Sequence, residues 1–134
     1  MKHIPGFEQI FGCPVYLVSD EERFLICKKP PFPMLGAYRK FRGDPSAKNG
    51  CIFLFEEYYT LPAEYRHYIV WHEAGHLHSY PDRSEEAADR WAIRNCTEPD
   101  GKKAWQILHS LDAAIRATTM ERLKKKGIAI PALK

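Results

Sequence analysis

Two histidines and a glutamate stand close together near the middle of the chain, in residues 71–76 (WHEAGH). Residues four apart on a helix have Cβ atoms roughly 5–6 Å apart on one face, so His72 and His76 can direct two imidazoles at one point. Zinc binds histidine nitrogen at about 2.0–2.1 Å, and this spacing is typical of a zinc-binding helix. Glu73 points about a quarter-turn away from His72. We therefore expect His72 and His76 to bind Zn2+ and Glu73 to act beside it as a general base.

The helix predicted around this motif is apolar on nearly every face. Three apolar stripes run along residues 65–77, and they include Ile69, Val70 and Leu77. A helix that is hydrophobic all round is buried at the centre of a fold. Desolvating two histidines and a glutamate there is costly unless they are paired or bind a metal. A metal ion accounts for all three residues at once, whereas a helix without one needs a separate partner for each.

A catalytic zinc normally has three protein ligands and an exchangeable water, and three carboxylates compete for the third place: Asp82, Glu85 and Glu86. Glu86 precedes Arg90 by four residues, the favourable order for a surface ion pair, so we expect it to face water. Glu85 instead shares the predicted buried face of its helix with Asp89. A structural alternative for Glu85 is a helix-capping role, since it follows Asp82 by three residues.

The sequence predicts a small sheet to precede these residues. Strands are expected at Val15–Val18, Arg23–Cys27, Leu35–Phe41 and Cys51–Phe55, with a short helix at Pro5–Phe11 and loops at Lys28–Pro33 and Gly43–Gly50. The turn signal at Ser19–Glu22 indicates that the first two strands form a hairpin. Cys51–Phe55 is a continuous apolar run and is the clearest of the four strands.

Helix signals follow the last strand. Thr60 and Pro62 are typical of a helix start, and Pro81 disfavours helical geometry at Tyr80, so the motif helix should end at or before Tyr80. A second helix is predicted at Ser84–Asn95, and a third follows Pro99-Asp100-Gly101 and ends at the lysine cluster 124–126 and Gly127. We therefore predict an α+β fold in one domain, residues 1–134: a small N-terminal β-sheet, a buried zinc helix and two further helices.

Composition excludes several classes of function. The net charge of +3 over 134 residues is too small to indicate nucleic acid as a partner. No run approaches the roughly 20 apolar residues of a membrane span, and polar residues interrupt any N-terminal signal core. The four cysteines are widely spaced, without a Cys-x-x-Cys pair. We expect a cytoplasmic protein with reduced cysteines.

Residues 72–76 (HEAGH), followed by 85–92 (EEAADRWA), resemble the gluzincin metallopeptidases and are most similar to the small, cytoplasmic ImmA/IrrE-like family. The resemblance covers about Tyr68 to Ile93. It implies a minimal zincin-like fold in which a short sheet precedes the zinc helix. It also implies that Glu85 is the third ligand and that Asp89 is the hydrogen-bond partner of a zinc histidine. The linker between His76 and Glu85 is shorter than in many members of that family.

A rival resemblance uses Asp82 as the third ligand. In the metzincin pattern, Ser79 stands where that family has glycine and Asp82 where it usually has histidine. The glycine allows a left-handed turn that costs other residues roughly 1–2 kcal/mol. The methionine turn of that family has no counterpart, since Met120 falls inside a predicted helix.

The gluzincin resemblance implies a zinc endopeptidase that hydrolyses peptide bonds of a specific intracellular protein, such as a transcriptional regulator. Glu73 would accept the proton of a zinc-activated water and return it to the leaving amine. Strand 51–55 would be the edge to which a substrate peptide adds. The candidates for a further donor to the developing oxyanion are Tyr58, Tyr59, Tyr80, His78 and His109.

The alternative function is a zinc-stabilised protein-binding regulator or antirepressor without proteolysis. Both functions require a protein or peptide as partner, and a regulatory protein could activate the enzyme or present its substrate. An intact Glu73 favours the enzyme, because a scaffold has no use for a general base.

Overall fold

The computed structural model describes residues 1–6, 12–26, 35–39, 50–96 and 100–130. In these ranges the protein is α+β, as predicted, with a small four-stranded N-terminal sheet followed by helices. Most of the predicted helix at 5–11, the loop at 28–33 and most of the connector at 43–50 lie outside the described residues. Within the described ranges, none of the helices has the length and apolar character that a membrane span requires.

The sheet contains β1 (Lys2–Ile4), β2 (Val15–Leu17), β3 (Gly36–Arg39) and β4 (Cys51–Leu54), in the spatial order β1-β2-β4-β3. β2 pairs with β1 in antiparallel orientation and with β4 in parallel, and β3 pairs with β4 in antiparallel orientation. All four side chains of β4 are buried, as expected for a continuous apolar strand covered on both faces. Three of the predicted strands are therefore confirmed.

The predicted strand at Arg23–Cys27 is wrong, and so is its hairpin with β2. Arg23–Ile26 forms a one-turn helix, α1. The helical turn directs the Arg23 side chain into the protein, where it bonds to Glu57 and stacks on the Phe55 ring at 4.7 Å, while Leu25 is 64% exposed. Pairing a buried arginine with a carboxylate outweighs the local strand propensity of this apolar run.

Three longer helices follow a 3-10 helix at Glu56–Thr60: α2 (Ala63–Ser79), α3 (Glu85–Asn95) and α4 (Gly101–Lys125). All three predicted helices are confirmed, and α2 ends before Tyr80 as Pro81 indicates. Thr60 does not cap α2, because its hydroxyl donates to the Glu57 carbonyl inside the 3-10 helix. Pro62 occupies the N-cap position instead.

The starts of α3 and α4 have side-chain caps that the sequence makes recognisable. The Ser84 hydroxyl accepts a hydrogen bond from the Ala87 amide at 3.1 Å, and the Asp100 carboxylate accepts one from the Lys103 amide at 3.1 Å. Each bond satisfies one of the amide donors that a helix leaves unpaired at its first turn. Because Ser84 caps α3, Glu85 does not have the capping role that the sequence left open for it.

Helix α2 packs between the sheet and α3, and two glycines allow its close contacts. A Cβ atom at Gly36 of β3 would lie 3.3 Å from Ile69 and 3.4 Å from Glu73, so the missing side chain makes room for α2 over the strand. A Cβ atom at Gly75 would lie 2.5 Å from the carbonyl oxygen of Ala88. The backbones of α2 and α3 are therefore in direct contact one turn beyond His72.

A cluster of charged residues anchors the far end of α4 to the segments that follow β2 and β4. The carboxylate of Asp20, which is fully buried, accepts hydrogen bonds from Arg122 at 2.7 and 2.8 Å and from Lys126 at 2.9 Å. Arg122 and Arg23 also bond to Glu57. Each buried charge in this cluster has a partner of opposite sign. The ion pairs connect the end of α4 to the 3-10 helix and to the residues that follow β2.

Candidate metal centre

Helix α2 places its two motif histidines side by side. The rings of His72 and His76 meet edge to face, with centroids 5.0 Å apart. Glu73 lies beside them and is only 6% exposed. His72, Glu73 and His76 each offer one possible ligand atom. These three atoms lie within 4.8 Å of one another, close enough to hold a metal ion.

Helix α3 adds a second carboxylate to this group. Glu85 Oε2 lies 2.9 Å from His72 Nε2, and Glu85 Oε1 lies 3.4 Å from His76 Nε2. In a tetrahedral zinc site with ligand bonds of about 2.0–2.1 Å, neighbouring ligand atoms are about 3.3 Å apart. Glu73 Oε2 lies farther away, 3.9 Å from His72 Nε2. The spacing of the donor atoms therefore suits His72, His76 and Glu85 as ligands, with Glu73 beside them.

The face of α3 that carries Glu85 is buried only farther along the helix. Ala88, Ala92 and Cys96 are buried, whereas the Glu85 side chain is 72% exposed. Glu85 is the first residue of α3, where this face opens into a cleft. Glu85 contacts both histidines of the motif, but its side chain is not buried, contrary to the expectation from its helix face.

Asp89 orients His72 from the side opposite to Glu85. Asp89 Oδ1 lies 2.7 Å from His72 Nδ1 and accepts a hydrogen bond of 2.7 Å from the Tyr68 hydroxyl. Asp89 Oδ2 accepts a hydrogen bond of 3.1 Å from Trp105 Nε1. A carboxylate can only accept, so His72 Nδ1 carries a proton and Nε2 is the atom directed at Glu85. This matches the predicted contact of Asp89 with a histidine of the motif.

Sequence reasoning missed Tyr68 and Trp105. Tyr68 precedes His72 by four residues, so helical spacing alone would place it on the same face. Trp105 lies 16 residues after Asp89 on another helix, and no local pattern connects the two. Only the packing of α4 against α3 brings its indole to the carboxylate.

The electrostatics of the group favour the protonated form of His72. Burial lowers the pKa of His72, but Glu73, Asp89 and Glu85 together outweigh burial and raise it to about 10. Hydrogen bonds from His72 and His76 lower the pKa of Glu85. Around neutral pH a proton on His72 therefore sits among the carboxylates, and a metal ion at Nε2 would displace it.

Glu73 differs from the other two carboxylates. Burial raises its pKa, against the opposing effect of His72 and His76. Burial also disfavours the charged form of Asp89, but hydrogen bonds from His72, Tyr68 and Trp105 outweigh burial and lower the pKa of Asp89. A raised pKa in a buried carboxylate is typical of a group that takes up a proton during catalysis.

The group lies in a cleft of about 890 Å³ between β3 and α4. Its lining includes Leu35 to Arg39 from β3 and its flank, the residues of the group itself, and Trp105, Leu108, His109, Asp112 and Arg116 from α4. Of the predicted oxyanion donors, Tyr80 and His109 line the cleft. Tyr58 is buried in the core, and His78 stacks on Trp91 with centroids 4.5 Å apart.

The strand next to the cleft is not the one that was predicted. β4 lies between β2 and β3 and so cannot be an edge to which a peptide adds, contrary to the expectation for residues 51–55. β3 is the outermost strand on that side of the sheet that the described residues form, and it lines the cleft. Sequence order misled here, because the strand adjacent to the motif helix in the chain is internal in space.

The other two candidate carboxylates are occupied elsewhere or face solvent. Asp82 is exposed and its carboxylate accepts a hydrogen bond of 2.9 Å from the Ser84 amide in the turn before α3. Glu86 is exposed, as predicted. Its expected ion pair with Arg90 is not among the ion pairs that the described residues form. Of these three carboxylates, Glu85 alone contacts the histidines in the described part of the chain.

Comparison of the chain with protein-family models, curated proteins and solved structures found no match. The likeness to gluzincins therefore rests on the motif residues alone. The site itself is defined by the contacts among His72, Glu73, His76, Glu85 and Asp89.

Proposed function

We propose that this protein is a zinc-dependent endopeptidase with a zincin-like arrangement of sheet and helices. The observation that carries the proposal is the position of the Glu85 carboxylate, which contacts Nε2 of both His72 and His76 beside the buried Glu73. His72, His76 and Glu85 would hold the ion. Zinc, when bound, lowers the pKa of water toward about 7 and polarises a carbonyl group.

Glu73 is the general base in this proposal. Its carboxylate is buried, its pKa is raised by that burial, and it lies 3.9 Å from His72 Nε2. It would take the proton of the attacking water and return it to the leaving amine. Asp89 holds His72 by its Nδ1 atom, which keeps Nε2 aimed at the metal position.

The cleft supports a peptide as the substrate. It is open and has a volume of about 890 Å³, with the extended strand β3 along one wall. Tyr80 and His109 line it, and in this proposal they would donate to a carbonyl oxygen as negative charge develops. Following the resemblance of the motif residues, we propose a specific intracellular protein, such as a transcriptional regulator, as the class of substrate.

The test is cleavage of a peptide library prepared from a digested proteome. Zinc-loaded wild-type protein should cut it, and Glu73→Gln should bind zinc equally well yet lose at least about 10²–10⁴-fold in rate, because glutamine keeps the shape but cannot accept the proton. Glu86→Gln, on the exposed face of α3, is the matched control and should cut at the wild-type rate. Equal rates for Glu73→Gln and wild type would refute the proposal.

The second candidate is a zinc-stabilised protein-binding regulator without proteolysis. The observation that favours it is that the candidate ligands come from two helices, α2 and α3, so a bound metal would cross-link them without any reaction. In that case zinc would bind and stabilise the fold, but neither wild type nor Glu73→Gln would cut any peptide.

A further inference from the structure

We infer that Trp105 is a positioning residue of the metal centre, acting on His72 through Asp89. The inference rests on the zinc site of the proposed function and extends that site to α4. In this inference the indole N–H of Trp105 fixes the carboxylate of Asp89, and Asp89 orients the metal ligand His72.

The geometry at Asp89 carries the inference. Tyr68 and His72 both contact Oδ1, each at 2.7 Å, and both belong to α2. Of the donors in the described part of the chain, Trp105 alone bonds to Oδ2, at 3.1 Å. The terminal torsion of aspartate has a broad energy minimum, so two contacts at one oxygen leave the plane of the carboxylate free to turn. The bond from Trp105 fixes that plane.

The chemistry of indole suits this position. An indole N–H donates and cannot accept, so the direction of this hydrogen bond is fixed: Trp105 donates and the Asp89 carboxylate accepts. A rotation of Asp89 would move Oδ1 relative to Nδ1 of His72 and thereby turn the imidazole. Asp89 contacts the ligand His72 directly, and such contacts typically contribute about 10–100-fold to metal affinity or activity. Trp105 is one hydrogen bond farther from the metal, so we expect a contribution at the lower end of that range.

Trp105 also forms part of the cleft wall and stacks on His109, with centroids 5.3 Å apart. The ring that holds Asp89 would therefore contact whatever occupies the cleft. A purely structural role must be separated from positioning, because Trp105 also packs against the core. The experiment has to remove the N–H and keep the ring.

The test compares Trp105→Phe and Trp91→Phe with wild-type protein. Trp91 stacks on His78 and packs against Trp71, so its replacement removes an indole of similar burial that does not bond to Asp89. Zinc affinity is measured by competition with a chromogenic chelator, and ligand geometry by the visible absorption of the cobalt-substituted protein. We expect Trp105→Phe to lose about tenfold in zinc affinity, the lower end of the range for direct partners of a ligand, and to shift the cobalt spectrum. Trp91→Phe should change neither.

A second substitution keeps the test decisive if Trp105→Phe does not fold. Incorporating benzothienylalanine at position 105 retains the bicyclic ring and replaces the N–H by sulfur. Wild-type affinity and an unchanged cobalt spectrum with this analogue would overturn the inference. A wild-type protein that binds no zinc would overturn both the metal centre and the inference, whereas one that binds zinc but cuts no peptide would overturn only the peptidase.

Discussion

Gly75 of α2 and Ala88 of α3 are in contact at the backbone: a Cβ atom at Gly75 would lie 2.5 Å from the Ala88 carbonyl oxygen and 2.9 Å from its Cα. His72 precedes Gly75 by three residues, and Glu85 precedes Ala88 by three. The crossing point of the two helices therefore lies one turn from the contact between His72 Nε2 and Glu85 Oε2. We infer that the separation of the helices at this crossing sets the distance between Glu85 and the two histidines.

The first prediction concerns this crossing. Gly75→Ala should push the helices apart, because the atoms it meets belong to the Ala88 backbone and cannot rotate away. We expect a loss of about 1–3 kcal/mol in the free energy of unfolding, as for other overpacked sites, together with weaker zinc binding. Urea unfolding and a zinc titration measure the two effects separately.

Gly127→Ala is the matched control for that prediction. Gly127 has φ +71° at the end of α4, and nothing lies within 4 Å of a Cβ atom there. Alanine should cost roughly 1–2 kcal/mol of stability through backbone strain and leave zinc affinity unchanged. If Gly75→Ala also left zinc affinity unchanged, helix separation would not control the reach of Glu85.

The second prediction distinguishes the three acidic residues before and at the start of α3. Glu85→Ala should weaken zinc binding severely, because it removes the only one of the three carboxylates that contacts both histidines. Asp82→Ala and Glu86→Ala should bind zinc nearly as wild type does. Metal analysis after dialysis of the four proteins provides the measurement, and a larger loss in Asp82→Ala would support the metzincin alternative.

The third prediction is stabilisation by zinc. A ligand that binds only the folded state, at a free concentration of about 100 times its Kd, raises the free energy of unfolding by about 2.7 kcal/mol. We expect that gain in wild type, and its loss in His72→Ala and His76→Ala. His78→Ala is the control on the same helix, since His78 stacks on Trp91 outside the cluster. Thermal unfolding with zinc and with chelator tests this, and equal melting temperatures in wild type would contradict it.

The fourth prediction concerns acid stability. Burial alone would raise the pKa of Asp20, but hydrogen bonds from Arg122 and Lys126 outweigh it and lower that pKa. Its folded-state pKa is then below the unfolded value of about 3.9. The stabilisation is fully present above pH 4 and is lost as the pH falls through the lower folded value. Arg122→Gln should reduce stability at pH 7 by about 3 kcal/mol.

Acid titrations followed by circular dichroism test the role of Arg122. Its replacement should move the midpoint of acid unfolding to higher pH, because Asp20 then takes up a proton more easily. Arg116→Gln is the control, since Arg116 pairs with Asp112 at 3.7 Å in an exposed position, and such pairs contribute at most about 1 kcal/mol. Identical midpoints of acid unfolding in Arg122→Gln and wild type would show that protonation of Asp20 does not cause the acid unfolding.

Local signals explain which parts of the fold could be predicted. The helices α3 and α4 have caps at Ser84 and Asp100, and Pro81 and Gly127 mark helix ends, so their bounds follow from neighbouring residues. The pairing of His72 with His76 follows from helical spacing, and the position of Glu85 follows from its helix face. Each of these depends on residues no more than about a dozen positions apart.

The features that could not be predicted depend on distant residues. Arg23 lies in a helical turn that directs its side chain to Glu57, and this partner is 34 residues away in the sequence. β4 is internal because it pairs in parallel with β2, a strand that precedes it by more than 30 residues. Trp105 reaches Asp89 through the packing of separate helices. Sequence patterns describe neither the order of strands nor the contacts between distant elements.

The short turn between α2 and α3 has a kinetic consequence. All the candidate ligands lie between His72 and Glu85, on two adjacent helices joined by residues 80–84. Closing so short a loop costs little entropy, and contacts of low sequence separation form early in folding. In the proposed site, zinc would bind the helical hairpin before the sheet is assembled from strands at residues 2–54. We expect zinc to increase the refolding rate in stopped-flow experiments, as well as to slow unfolding.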